Sequence, residues 1–147
     1  MKYFIILYFT ILSSAFSQTI DYNTKKGFVA TGYDVVAYFN NNAIEGSKIY
    51  ATTFDGVKYK FSSQKNLDTF IKKPTAFIPQ YGGYCAYAVA KSSKKVSVNP
   101  ETFEIRDGKL YLFYNSWGNN TLEKWKKENV KGLQYKADLN WEAIKFI

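Results

Sequence analysis

Two stretches of the chain alternate apolar and polar side chains in the manner of β-hairpins. Each consists of two short runs around an Asp-Gly dipeptide: 50–54 with 57–61, and 103–106 with 109–113. Asp55-Gly56 and Asp107-Gly108 each predict a type I′ turn, because both central residues of that turn take positive φ values. The sequence therefore predicts two antiparallel hairpins.

Helical spacing of apolar residues follows the first hairpin. We expect a helix over 64–72, capped by Ser62 or Ser63 and ended by Pro74, because a serine hydroxyl caps free N–H groups and proline cannot continue a helix. The segment 84–90 has small alternating residues and fits either a short helix or a buried strand.

Two further helices are predicted near the end of the chain. Asn120 and Glu123 have the spacing of a capping box, which predicts a helix over 121–130, and Gly132 has the position of its C′ glycine. A last helix is indicated by an apolar face at helical spacing, made by Leu133, Ala137, Trp141 and Ile144.

The order of these elements predicts an α+β fold, in which a small antiparallel sheet of hairpins packs against three or four helices. No internal repeat, low-complexity tract or linker divides the chain. We therefore expect a single domain over 31–147, preceded by a flexible lead-in over 18–30, because that segment is polar.

The first 17 residues have the three parts of a secretory signal peptide. Lys2 precedes an apolar run over 4–12, and Ala15 and Ser17 fit a cleavage site. The alternative is a membrane anchor, but the run is about half of the roughly 20 residues that span a bilayer. We expect an exported protein, periplasmic or extracellular, with no transmembrane segment after cleavage.

The composition excludes several classes of site. Among 147 residues there is no His, one Cys and one Met. Without His the chain has no Ser-His-Asp triad, Cys-His dyad or imidazole metal ligand. One Cys allows neither an internal disulfide nor a CxxC redox pair. No cofactor is predicted.

The chain is strongly basic. It has 20 Lys and Arg against 12 Asp and Glu, a net charge of +8, and loss of Lys2 with the signal peptide leaves +7. The lysines are spread over several runs, 25–26, 72–73, 91–95 and 124–127. Such a surface favours an anionic envelope surface or polymer, or is simply solvated. Because export makes nucleic acid an unsuitable partner, we expect an unidentified small ligand or envelope partner, and a monomer.

Several short motifs follow one another through the middle of the chain. They are Tyr33-Asp34-Val35-Val36-Ala37-Tyr38-Phe39, Gly56-Val57-Lys58-Tyr59-Lys60-Phe61-Ser62-Ser63, Asn66, Phe70, Pro74, Pro79 and Tyr81-Gly82-Gly83-Tyr84-Cys85-Ala86. Together with 107–112 and Trp141, this order resembles the YHS domain family in its exported, single-domain branch. The resemblance covers most of the chain after residue 17.

The resemblance implies an exported accessory role. The wider family occurs beside copper-transporting ATPases and some hydroxylases, and has been suggested to bind metal through two cysteines. By position those cysteines correspond to Ala37 and Ser62 of this chain. The resemblance therefore implies the family's fold, while the thiols of its metal site are absent here.

The matched region supplies the candidate ligand-binding residues. Asp34, flanked by Tyr33 and Tyr38, can help to bind a hard cation or orient a ligand, or can hydrogen-bond a nearby backbone or Tyr hydroxyl. Gly82-Gly83 can present N–H groups to an anion, or can form a positive-φ turn or a close backbone contact.

Aromatic side chains and the single thiol complete the set of candidates. Cys85 is either a nucleophile or thiolate ligand, or a buried core thiol, and the lack of a His base favours the core. Tyr81, Tyr84 and Tyr87 can line a groove, whereas Tyr59, Phe61, Phe70 and Trp125 lie on faces predicted to be core.

The leading hypothesis is a non-catalytic module that binds a ligand or partner through an aromatic face. A metal-handling protein, as the wider family implies, is the second hypothesis. An enzyme with an unfamiliar site around Cys85, Asp34 and the tyrosines is the third.

Overall fold

The structure is a computed structural model that describes residues 18–146. The predicted signal peptide, residues 1–17, lies outside the described residues. None of the helices within 18–146 combines the length and the hydropathy that crossing a membrane requires.

The fold is α+β, as predicted. In chain order the strands are β1 (Thr24–Lys25), β2 (Phe28–Val29), β3 (Ser47–Phe54), β4 (Val57–Phe61), β5 (Asn99–Arg106), β6 (Lys109–Phe113), β7 (Asn115–Ser116) and β8 (Asn119–Asn120). The helices are α1 (Gln64–Lys72), α2 (Ala86–Ser92), α3 (Thr121–Lys127) and α4 (Val130–Ile144).

Both predicted hairpins are present. β3 pairs antiparallel with β4, and β5 pairs antiparallel with β6. The turn residues Asp55 and Gly56 have φ values of 50° and 76°, and Asp107 and Gly108 have 51° and 69°. These values confirm the type I′ turns, in which both central residues are left-handed.

The parallel pairing of β2 with β4 was not predicted. The larger sheet has the order β1-β2-β4-β3, and within it β2 runs parallel to β4, with Phe28 opposite Lys58. This pairing places the segment before residue 30 against the first hairpin.

The prediction of a flexible lead-in over 18–30 is corrected by these contacts. Ile20 forms a β-bridge with Phe146, and the Asn23 N–H donates to the Gly82 carbonyl at 2.8 Å. Phe28 and Val29 are buried. Their burial contributes hydrophobic free energy to folding. The segment therefore packs as part of the domain and is not a flexible lead-in.

The first helix has the predicted bounds. α1 covers Gln64–Lys72, and the Ser63 hydroxyl accepts a hydrogen bond from the Asn66 N–H at its N-terminus. The ambiguous segment 84–90 becomes a helix, α2, from Ala86.

The end of the third helix was predicted wrongly. Asn120 caps α3, as expected, but the helix ends at Lys127 and Gly132 lies inside α4. The Asn129 side chain accepts a hydrogen bond from the Gly132 N–H at 3.1 Å. Asn129 is thus an N-cap that begins a new helix, a role that favours Asn as strongly as Ser or Asp.

Strand β6 joins the two halves of the core. Its Leu110 and Leu112 pack with the buried residues of the first hairpin and α1, whereas Tyr111 and Phe113 pack with Trp125 and the C-terminal helices. Alternate side chains of a strand point to opposite faces, so β6 is buried on both sides.

Candidate functional site

The Asp34 carboxylate is completely buried and fully hydrogen-bonded. Its Oδ1 accepts from the N–H groups of Val36 and Ala37 at 2.9 and 3.1 Å. Its Oδ2 accepts from the Ser62 N–H at 2.8 Å, the Ser62 hydroxyl at 2.6 Å and the Asn66 amide at 2.7 Å. Five donors satisfy a buried carboxylate. Asp34 therefore has a structural role, and its oxygens are not available to bind a ligand.

The same carboxylate brings together the two positions that correspond to family cysteines. The Ala37 N–H donates to one oxygen of Asp34, and Ser62 donates twice to the other. The backbone N–H of Ala37 and the N–H and hydroxyl of Ser62 thus contact the two oxygens of one carboxylate.

The two tyrosines that flank Asp34 in the motif have different surroundings. Tyr38 is fully buried, its hydroxyl donates to the Pro100 carbonyl at 2.7 Å, and its ring lies 4.7 Å from that of Phe103. Burial raises the pKa of Tyr38 above its usual value. Tyr33 is half-buried and borders a cleft. Of these three candidates, only Tyr33 faces open space.

The Gly82 turn is a close backbone contact. Gly82 has φ +60°, and a Cβ there would lie 2.7 Å from the Asp21 carbonyl oxygen and 2.9 Å from the Trp141 ring. Gly83 has φ +81°, and its carbonyl accepts from the Asn23 amide at 3.0 Å. Only glycine fits such a position without strain, which accounts for Gly82 structurally.

The three clustered tyrosines do not form one groove. The hydroxyls of Tyr81 and Tyr87 donate to Asp138 and Glu128 at 2.9 and 2.7 Å. Burial, together with Asp21, raises the pKa of Tyr84 to about 12. Tyr81 borders a cleft of about 390 Å³ beside Trp141, and Tyr87 borders another of about 340 Å³. The predicted aromatic face is thus divided among separate contacts.

Cys85 is a buried thiol, as predicted. Its Sγ lies 3.3 Å from the Thr121 hydroxyl oxygen, and that hydroxyl donates to the Tyr114 carbonyl at 2.7 Å. A hydroxyl has one proton to donate, so the thiol is the donor to Thr121. The proton that a nucleophilic thiolate must lose is engaged in this hydrogen bond.

A cleft beside β1, β2 and β4 was missed by sequence analysis. It has a volume of about 520 Å³ and is bordered by four lysines, Lys25, Lys26, Lys48 and Lys60. We call it the lysine cleft. Glu45 is the one carboxylate among its lining residues, so four positive charges less one negative charge leave a formal charge of +3. Only Lys25 and Lys26 belong to a lysine run visible in the sequence, and their approach to Lys60 depends on the parallel pairing of β2 with β4.

Two lining residues of the lysine cleft form an ion pair. The Lys60 Nζ is 2.9 Å from Glu45 Oε1, and the side chains are 12% and 67% exposed. The pKa of Glu45 is lowered by the hydrogen bond and charge of Lys60, and further by the charges of Lys25 and Lys26. Three ammonium groups therefore stabilise negative charge at the place where the Glu45 carboxylate lies.

Thr31, which borders the cleft, has an unsatisfied hydroxyl. The Thr31 Oγ1 is buried without a hydrogen-bond partner among residues 18–146. Ala30 and Thr31 both have positive φ, at 53° and 54°. A left-handed conformation costs a non-glycine residue roughly 1–2 kcal/mol, and a buried unpaired hydroxyl costs about 1–3 kcal/mol. Costs of this kind concentrate at functional sites.

Gly32 determines where the Lys60 side chain lies. A Cβ at Gly32 would be 2.4 Å from Lys60 Cε and 3.0 Å from Nζ. The ammonium also stands over the Phe28 ring, 5.5 Å from its centroid, at a distance that allows a cation–π interaction. The ammonium of Lys60 is thus held by the fold.

No family model, curated protein or solved structure matches the chain. The resemblance to the YHS family accordingly depends on the motifs quoted above, and the function has to be argued from the geometry of the sites.

A metal centre has little support in that geometry. Within the described range 18–146, no group of three or more His, Cys, Asp or Glu side chains is arranged to hold a metal ion. The arrangement with the clearest chemical preference is the lysine cleft, whose ammonium groups favour an anion.

Proposed function

We propose that this chain is an exported, YHS-like, non-catalytic module that binds a small anionic ligand in the lysine cleft. The observation that carries the proposal is the convergence of four lysines on a cleft of about 520 Å³ with a single carboxylate. Clefts of roughly 300–1,000 Å³ are the usual size for small-molecule sites.

The buried candidates support a binding role over catalysis. The Asp34 carboxylate is occupied by five donors, and the Cys85 thiol donates to Thr121. Neither group is free to accept a proton from a substrate or attack it, which general-base and nucleophilic catalysis require.

Calorimetric titration with anions tests the proposal. The purified protein is titrated at low ionic strength with citrate and inorganic phosphate, and with glucose and spermidine as neutral and cationic controls. We expect binding of at least one anion, weakened by added salt because ammonium–anion attraction is screened, and no binding of the controls.

A pair of matched variants separates the cleft from the overall charge. The double variant K25Q/K26Q removes two lysines at the cleft, and K72Q/K73Q removes two exposed lysines at the C-terminal end of α1. We expect the first to weaken anion binding at least about tenfold and the second by less than about twofold. Equal losses in both, or no anion binding by the unmodified protein, would contradict the proposal.

Copper handling is the second candidate, favoured by the meeting of Ala37 and Ser62 at Asp34. Copper(I) prefers thiolate and thioether ligands, and residues 18–147 contain one Cys, no Met and no His. We therefore expect no tight binding of copper(I) by the monomer in competition with a copper(I) chelator. Tight one-to-one binding would favour this candidate over anion binding, and one ion per two chains would indicate a dimer that shares Cys85.

A further inference from the structure

We propose that the ligand of the lysine cleft carries a phosphate group, which displaces the Glu45 carboxylate from Lys60 and accepts a hydrogen bond from the Thr31 hydroxyl. The inference rests on the proposed function and names its ligand class. Glu45 is then an internal competitor that occupies the anion position until the ligand binds.

The ion pair is asymmetric in a way that permits displacement. Lys60 is 12% exposed and is held between Gly32 and the Phe28 ring, whereas the Glu45 side chain is 67% exposed. The Glu45 carboxylate is well solvated once it leaves Lys60, and an ion pair with a partner this exposed is easily exchanged for water or another anion. The carboxylate can therefore move into water while the ammonium stays in place.

The backbone near Glu45 is fixed, which limits the movement to its side chain. Tyr33 forms a β-bridge with Glu45, and the Gly46 N–H donates to the Gly32 carbonyl at 2.9 Å. Release of the carboxylate thus leaves the shape of the cleft unchanged, with Lys60 and the lysines of 25–26 facing an open position.

The Thr31 hydroxyl identifies a second contact for the ligand. Its oxygen is buried without a partner among the described residues, and Glu45 does not satisfy it. A ligand that only neutralised Lys60 would leave this hydroxyl unpaired. A ligand with several acceptor oxygens on one centre can contact both groups.

Phosphate fits these donors better than a carboxylate. The charges come from separate elements, with Lys25 on β1, Lys60 on β4 and Lys48 on β3, and no Arg lines the cleft. A planar carboxylate is best matched by the planar fork of Arg, while Lys binds phosphate as a point charge. The tetrahedral oxygens of phosphate can accept from donors that approach from several directions.

Calorimetric titrations of three probes at low ionic strength test the inference. The probes are inorganic phosphate, glycerol 3-phosphate as a phosphate ester, and malonate as a dicarboxylate. We expect both phosphates to bind at least about tenfold more tightly than malonate. Tighter binding of the ester would identify an esterified ligand, and tighter binding of inorganic phosphate would identify the free ion. Malonate that binds as tightly as both would overturn the phosphate assignment.

The variant E45Q tests the displacement. It weakens the contact with Lys60 and removes a negative charge that repels phosphate, so we expect phosphate to bind about 3–10-fold more tightly. E123Q makes the same charge change on the exposed face of α3 and should alter affinity by less than about twofold. Unchanged or weaker binding to E45Q, with binding to the unmodified protein intact, would overturn the displacement and leave the proposed function standing. Absence of anion binding in both proteins would overturn the proposed function itself.

The variant T31V tests the hydroxyl contact with a side chain of nearly the same shape. We expect phosphate affinity to fall about 5–10-fold through loss of one charge-assisted hydrogen bond. The thermal midpoint should stay the same or rise, because a hydroxyl without a partner is removed. Unchanged affinity would exclude Thr31 from the site.

Discussion

Replacement of Asp34 by Asn is the sharpest test of its structural role. The substitution keeps the shape of the side chain but replaces one acceptor oxygen with an NH₂ group, which only donates. Asp34 Oδ1 faces two N–H donors, and Oδ2 faces two donors of Ser62 and one of Asn66. In either orientation the new NH₂ group meets at least two donors.

The expected loss of stability follows from those contacts. A hydrogen bond to a charged group contributes roughly 1.5–3 kcal/mol, so the loss of two costs about 3–6 kcal/mol. A neutral amide is easier to bury than a carboxylate, which offsets part of the loss. We expect D34N to lower the free energy of unfolding by about 2–4 kcal/mol and the thermal midpoint by roughly 8–15 °C.

Urea denaturation followed by circular dichroism measures the difference, and D68N is the matched control. Asp68 is exposed on α1 and accepts a hydrogen bond from Gln64 at 2.8 Å. We expect D68N to change stability by less than about 0.5 kcal/mol, as is usual for surface substitutions. If D34N were as stable as D68N, the carboxylate would not hold the fold together, and a ligand-binding role for Asp34 would be restored.

Three further predictions concern other parts of the structure. A thiol reagent should label Cys85 slowly in the native protein and rapidly in denaturant; rapid native labelling would show an accessible thiol. G82A should lose about 2–4 kcal/mol of stability through strain and overlap, and G56A, where a Cβ has nothing within 4 Å, only about 1–2 kcal/mol. Equal losses of stability in G82A and G56A, measured by urea denaturation, would show that the close contact at Gly82 does not constrain the side chain there. Because burial raises the pKa values of Tyr38 and Tyr59, their contribution to stability is complete below the ordinary value near pH 10 and is lost as the pH rises above it. Phenolate absorbance should therefore rise for these two residues only as the protein unfolds, and their titration near pH 10 in the folded state would contradict this expectation.

Local signals in the sequence determined most of the secondary structure. The Asp-Gly turns, the serine cap of α1 and the apolar face of α4 each depend on residues within one turn or one helix. The physical preferences involved, positive φ at a type I′ turn and a side-chain acceptor at a helix N-terminus, act over four residues or fewer. The same locality explains the error at Gly132. A glycine that ends α3 and a glycine in the first turn of α4 have the same local pattern, and they differ only in whether Asn129 begins a new helix.

The sequence also indicated that Cys85 is a core residue, since no His was present to activate it. It left the role of Asp34 open between a ligand and a structural hydrogen bond. The donors from Ser62 and Asn66 lie 28 and 32 residues away, and no periodicity relates such positions. Only the packing of α1 against the loop after Tyr33 decided that the carboxylate is satisfied.

The lysine cleft depended on tertiary structure altogether. Lys25, Lys48 and Lys60 lie in three different strands, and each is an ordinary exposed lysine by its local pattern. The parallel pairing of β2 with β4 and the antiparallel pairing of β3 with β4 bring them to one cleft. The sequence by itself determined that the chain is basic and where its strands turn. The pairing of distant strands decided where the positive charge is concentrated. Pairing across a sheet is set by burial of the whole core rather than by neighbouring residues, so no local pattern could predict it.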